Sequence, residues 1–257
     1  MDVGRYLERV GFEGAPAVDR ATLAAIQRAH ALHVPFDALD CYLGNRVTVE
    51  PADAYRKIVD RRRGGYCYEL NGLLGAMLAE IGFAVTLLAA RPETPVGFAD
   101  PFAHLALLVE LDRRLLVDVG FGVFAREPLE LDERGEQVID GHVFQISEDD
   151  GSDGELLVRE LRPDEQGYRL SLRPRDRDEF REQCRIYATD PGSPFVRRAS
   201  LQRAHEDGWT RLTRKELRVN RAGEEIDEPI RDEEHWRSEV RDRFGYEIDG
   251  SDVRVIA

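Results

Sequence analysis

Cys67, His104 and Asp118 are a nucleophile, a base and an acid, and they occur in that order along the chain. A cysteine nucleophile needs a base to take its proton and an acid to orient that base. Cys67 lies in Arg63-Gly64-Gly65-Tyr66-Cys67-Tyr68-Glu69-Leu70-Asn71, where the two glycines allow a sharp, close-packed turn. Leu70, Leu73, Leu74, Met77, Leu78 and Ile81 then recur at helical spacing, and Gly82 stands where that helix would stop. Cys67 therefore falls on the buried face of a helix, in its first turn. Unpaired backbone N–H groups there favour negative charge, which lowers a thiol pKa toward the thiolate. Taken alone, the stretch fits a nucleophile and a small buried core residue equally well.

The other two residues lie in a pair of apolar runs, Ala103–Leu111 and Leu115–Val119, joined by a charged Asp112-Arg113-Arg114. That pattern predicts a β-hairpin. With a three-residue loop and Glu110 opposite Arg114, His104 faces Gly120 and Asp118 is its diagonal neighbour at ~7–8 Å. A two-residue loop puts the two side chains on opposite faces. An aspartate inside Leu115-Leu116-Val117-Asp118-Val119 is costly to bury without a partner, which favours a specific pairing. His104 by itself reads equally as a satisfied strand histidine.

The 257 residues are enough for a full core, with 42% apolar and 33% charged residues. No run of 18 or more apolar residues suggests a membrane span. The start MDVGRYLERVGFEG lacks a basic stretch followed by an apolar core, so a cytoplasmic protein is expected. Net charge is −14, which disfavours nucleic acid as a partner. Lys57 and Lys215 are the only lysines among 36 basic residues. Cys41, Cys67 and Cys184 are odd in number and widely spaced, with neither a disulfide framework nor a metal-ligand pattern. Cys41 and Cys184 read as structural, and no metal is expected.

The remaining pattern changes twice. Residues 1–82 read as helical: Tyr6, Leu7, Val10 and Phe12 form one stripe, Thr22 is a candidate cap, Pro35 ends a helix and Pro51 opens another. Residues 83–190 read mainly as strands, including Phe83–Ala90, Val143–Ile146, Glu155–Leu161 and Tyr168–Leu172. Glu148–Gly154 reads as an acidic solvated turn, and Asp176 as the cap of a helix carrying Phe180, Cys184 and Tyr187. Residues 191–257 mix strands at Leu201–Ala204, Trp209–Leu212 and Leu217–Val219 with a last helix from about Asp232 to Gly245.

These residues resemble the arylamine N-acetyltransferase family. Arg63–Asn71 is similar to the family's signature, with Cys67 at the catalytic cysteine. His33-Val34-Pro35-Phe36-Asp37-Ala38-Leu39 resembles its proline-phenylalanine element, and His104–Val109 its histidine strand. Val117–Gly122 resembles its aspartate strand, and Ser193-Pro194-Phe195-Val196 the motif opening its third domain. The likeness runs in order along nearly the whole chain. It implies an α+β fold with a cysteine-proteinase-like core: a helical bundle (1–82), a central antiparallel β-barrel (83–190) and a C-terminal α/β lid (191–257). It also implies ping-pong acetyl transfer from acetyl-CoA, through Cys67, to an aromatic amine or hydrazine, with His104 and Asp118 completing the triad.

The resemblance further implies that Phe36, Phe121, Phe124 and Phe195 line an aromatic-amine pocket, although each alone reads more readily as core. It implies that Asp37, where the family usually carries glutamate, pairs with Arg63 to support the Cys67 loop. Tyr66, Tyr68, Glu69 and Asn71 flank the nucleophile as packing or as support, and Glu69 needs a partner if buried. The same triad would also serve a macrolactam-forming amide synthase, or a transglutaminase or cysteine protease. The two tryptophans, Trp209 and Trp236, are fewer than a transglutaminase site suggests. A non-catalytic homologue is disfavoured by the intact triad. The acceptor, the preferred acyl-CoA and the oligomeric state, homo-oligomers included, stay open.

Overall fold

The structure, a computed structural model, describes residues 1–149, 154–161 and 166–248. Most of the expected acidic turn at Glu148–Gly154 lies outside the described residues. The chain opens with helices α1 (Val3–Val10) and α2 (Arg20–His33). The cap of α2 is Asp19, which accepts the Thr22 N–H at 2.7 Å. Thr22 itself sits one turn in, so the expected cap was three residues late. Pro35 bars further helix, and the chain extends into the two-residue strand β1 (Phe36–Asp37). Short helices α3 (Leu39–Leu43) and α4 (Pro51–Tyr55) follow, Pro51 occupying the first turn of α4.

Helix α5 (Cys67–Ile81) is the centre of the main core. Leu70, Leu73, Leu74, Met77 and Leu78 are all 0% exposed, each contributing about 1.5–3 kcal/mol of hydrophobic stabilisation. Gly82 ends the helix in the left-handed region, with φ 117°.

Nine antiparallel strands come next: β2 (Ala84–Thr94), β3 (Gly97–Phe98), β4 (His104–Glu110), β5 (Arg114–Val117), β6 (Leu129–Glu130), β7 (Gln137–Ile139), β8 (His142–Glu148), β9 (Leu156–Glu160) and β10 (Gln166–Leu170). Their order is β6-β5-β4-β2-β10-β9-β8-β7, with β3 folded back on β2. The sheet curls into a nearly closed barrel. Strand alternation divides β4 between two cores. Leu105, Leu107 and Val109 pack toward α5, while Ala106 and Leu108 face the barrel interior with Phe144, Ile146, Val158 and Tyr168. Glu110 pairs with Arg114 and Leu107 with Val117, so the hairpin has the three-residue loop that puts His104 and Asp118 on one face.

A 3-10 turn capped by Asp176 leads into α6 (Arg181–Thr189), and α7 (Pro194–Arg197) follows. Phe180, Cys184 and Ala188 join the same buried cluster as Cys67. The chain ends in β11 (Leu201–His205), β12 (Gly208–Leu212), β13 (Glu216–Arg221), β14 (Glu224–Pro229) and α8 (Glu233–Glu239), capped by Asp232. The second sheet has the order β1-β11-β12-β13-β14, so a strand from the N-terminal helices forms its edge. No helix among the described residues is long and apolar enough to cross a membrane.

Candidate active site

The loop before Cys67 is held by close backbone packing. A Cβ on Gly64 would lie 2.2 Å from the Pro35 carbonyl oxygen, so only glycine fits. Gly65 N–H donates to Pro35 O at 3.2 Å, and Asp37 N–H donates to Gly65 O at 2.8 Å. These bonds stitch β1 to the loop. Tyr66 is the N-cap of α5, and its N–H donates to Glu69 Oε2 at 3.2 Å, as in a capping box.

Cys67 is the first residue of α5 and is buried. The backbone N–H groups of Tyr68 and Leu105 work to lower its pKa. Burial nevertheless pushes the thiol well above the ordinary cysteine range, with Cys184 and Asp118 adding to the effect. The expectation of a thiol lowered by the helix N-terminus is therefore corrected. The helix supplies donors, but in a buried setting they do not outweigh desolvation.

The expected base and acid are joined. His104 Nε2 lies 2.7 Å from Asp118 Oδ2, with both side chains almost fully buried. With Nε2 so engaged, Nδ1 is the nitrogen available to take a thiol proton. Burial works to raise the Asp118 pKa, but His104, Asn71 and the Gly120 N–H outweigh it and hold the carboxyl below its usual range. Asn71, one turn beyond Cys67, ties the parts together. Its Nδ2 donates to Leu105 O at 2.6 Å and to Asp118 Oδ1 at 2.8 Å, and its Oδ1 accepts the Val119 N–H at 2.9 Å. Asn71 is thus support for the triad rather than packing alone.

Cys67, His104 and Gly120 open onto a cleft of about 380 Å³. Phe36, Phe121, Phe195 and Tyr187 stand on its walls. The Phe36 and Phe195 rings are 6.1 Å apart, and Phe195 lies edge-on to Tyr187 at 5.3 Å. Phe124 is placed differently from the sequence expectation. Its ring packs 5.2 Å behind Phe121 and 5.1 Å from Phe144, in the barrel core. Two hollows elsewhere, of about 470 and 870 Å³, contain none of the three triad residues.

Behind the loop lies a buried ionic network. The expected Asp37–Arg63 pair is present, at 2.9 Å from Nη2 to Oδ2. The guanidinium does not grip one carboxylate in two directions, because its Nη1 goes to Asp40 Oδ1, also at 2.9 Å. Lys57 Nζ bridges Asp40 Oδ2 at 2.7 Å and Glu69 Oε2 at 2.8 Å. Burial works to raise the Asp40 pKa, but Lys57 and Arg63 hold it well below the usual carboxylate range. Glu69 thereby has the partner that its burial demands, whereas Asp40 and Lys57 were not anticipated. The one available signal was a lysine followed by the apolar Ile58 and Val59, in a chain with only two lysines.

Cys41 and Cys184 are free and buried, Cys184 Sγ lying 2.8 Å from Tyr66 Oη. No group of His, Cys, Asp or Glu among the described residues has the arrangement to hold a metal.

Residues 19–253 match the family model described as N-acetyltransferase. An arylamine N-acetyltransferase of Mycolicibacterium smegmatis is 37% identical over 232 residues, covering 87% of this chain and 84% of that protein. Human arylamine N-acetyltransferase 1 is 30% identical over 230 residues, covering 81% of this chain and 79% of that protein. The solved structure of Mycobacterium marinum arylamine N-acetyltransferase in complex with CoA superposes with a TM-score of 0.88 at 29% identity, covering 95% of this chain and 92% of that one. With Cys67, His104 and Asp118 at the meeting of helix α5 and the barrel, the chain belongs to the arylamine N-acetyltransferase family.

Proposed function

We propose that the protein transfers an acetyl group from acetyl-CoA to the nitrogen of an aromatic amine or hydrazine, by a ping-pong route through an acetyl-Cys67 thioester. The observation that carries this is the His104 Nε2–Asp118 Oδ2 bond of 2.7 Å, with His104 and Cys67 on the walls of one cleft. Asp118 holds the imidazole so that Nδ1 can accept the Cys67 proton. His104 takes the Cys67 proton, and the thiolate, paired with the imidazolium, attacks acetyl-CoA. The N–H groups of Tyr68 and Leu105 steady that charge. The C–S bond to coenzyme A breaks, and the leaving thiolate takes the imidazolium proton. In the second half, the amine attacks acetyl-Cys67, His104 takes the proton lost by nitrogen, and the Cys67 thiolate recovers it.

Phe36, Phe121 and Phe195 are the rings against which an aromatic acceptor stacks, and Phe124 backs Phe121. Asp37 and Arg63 support the loop. The chain divides into three segments near residues 82 and 190. The change from α5 to β2 across Gly82 supports the first boundary, although α6, before the second, packs on the helices. Dependence on acetyl-CoA fits a cytoplasmic location.

Mixing the protein with acetyl-CoA is the test. Mass spectrometry should find about 42 Da added at Cys67, and an aromatic amine should discharge it as the N-acetyl product. Absence of the adduct, or its persistence in Cys67→Ser, would overturn the assignment.

A further inference from the structure

We infer that Tyr246, at the far end of the chain, is a positioning residue for the nucleophile loop. Its hydroxyl donates to Asp37 Oδ2 at 2.9 Å, across 209 residues of sequence. The same oxygen takes Arg63 Nη2, and Asp37 Oδ1 takes the Leu39 N–H at 2.9 Å. Asp37 is 0% exposed, so each of these donors replaces a water that the carboxylate has lost. Arg63 cannot supply them alone, because its Nη1 is committed to Asp40. The Tyr246 ring also lies beneath the guanidinium, 5.2 Å from Cζ to the centroid. Tyr246 therefore contacts both members of the ion pair.

The route to the sulfur is short. The Asp37 backbone N–H donates to Gly65 O at 2.8 Å, two residues before Cys67. Gly64 is packed so tightly that an added Cβ would lie 2.7 Å from Asp37 Cβ. A displacement of Asp37 is thus transmitted directly to the turn that aims Cys67. The hydroxyl remains a donor, because burial and the adjacent Asp37 carboxylate keep it protonated. Tyr246 packs in the cluster of Trp236, Val240 and Phe244, so its phenol joins the C-terminal segment to the loop.

It rests on Cys67 being the acyl acceptor, and the experiment separates the two claims. Single-turnover acetylation is measured for the wild type, Tyr246→Phe and Phe244→Leu, with thermal unfolding of each. Tyr246→Phe should slow acetylation at saturating acetyl-CoA by about tenfold, on a scale where 1 Å of misplacement costs on the order of 10²-fold. Its apparent affinity for acetyl-CoA should stay within about twofold. Phe244→Leu removes packing from the same cluster, and should lower the melting temperature while leaving the acetylation rate intact. A wild-type rate in Tyr246→Phe, or an equal slowing in Phe244→Leu, overturns the positioning role. Failure of the wild type to acetylate at Cys67 would instead overturn the function itself.

Discussion

Gly120, just beyond β5, packs directly against the nucleophile, and Gly120→Ala should disable the enzyme without unfolding it. A Cβ there would stand 2.8 Å from Cys67 Cα and 2.7 Å from Asn71 Nδ2, distances that real Cβ atoms essentially never show. Reaching an ordinary contact of 3.4 Å requires the segment after β5 and helix α5 to part by roughly 0.6 Å. Neither neighbour is the loose end of a flexible chain, since one is backbone and the other is held by Leu105 O and Asp118 Oδ1. The overpacking should cost about 1–3 kcal/mol of stability. The same shift separates Cys67 from His104, or Asn71 from Asp118, and should slow acetylation by tenfold to a hundredfold, on the order expected of sub-ångström misalignment. Gly75→Ala is the control. Its Cβ, far along the same helix, would crowd the flexible Leu107 Cδ2 at 3.1 Å and meet Val85 Cγ1 at an ordinary 3.6 Å. There the gain of up to about 1 kcal/mol in helix propensity offsets the crowding. Rapid-quench mass spectrometry gives the rates and urea unfolding gives the stabilities. A normal acetylation rate in Gly120→Ala, or an equal loss in Gly75→Ala, would refute the reasoning.

Two further outcomes concern buried charge. Lys57→Met leaves buried Glu69 without its cation and Asp40 with Arg63 alone, and should cost about 3–5 kcal/mol by chemical denaturation. Adding Glu69→Gln should recover part of that, and strictly additive losses would mean that the two groups are not coupled. His30 is fully buried, with Nδ1 2.8 Å from Tyr6 Oη, and burial, with a smaller contribution from Arg9, pushes its pKa down to about 3. Its folded pKa lies below the unfolded value of about 6.5, so its stabilising contribution is full above that value and falls as the pH drops toward 3. About 2 kcal/mol should be lost between pH 7 and 5. His30→Gln, which keeps an acceptor for Tyr6, should flatten that slope in urea titrations. Half-buried His205, pushed down to about 4 mainly by burial, accounts for a remainder. An unchanged slope would exclude His30 as the source.

Much of the site could be read from the sequence because its parts are locally periodic. Helix α5 shows its apolar face within 15 residues, and the hairpin register follows from one loop length. What escaped was non-local or aperiodic. Strand β14 is exposed at all six positions, so no alternation marks it, and β1 is only two residues long. Asp19 and Thr22 are both good caps, and only backbone geometry chooses between them. Phe121 and Phe124 lie in an irregular segment, where spacing does not reveal which ring meets the cleft and which the core. The Cys67 thiol was misjudged because helix polarity is visible in sequence, whereas the desolvation opposing it comes from the whole fold.

The two-residue strand β1 has a consequence for how the protein is made. It pairs on one side with Gly65, in the nucleophile loop, and on the other with Leu201 and Gln202. During synthesis the helices and the triad-bearing hairpin emerge well before β11 and Tyr246, and contacts across such separations close late. The catalytic cysteine is thus translated early but aimed late. A nascent chain stalled before residue 200 carries all three triad residues without the outer strand that braces the turn before Cys67. A chain released before β11 therefore lacks the strand that pairs with the far side of β1.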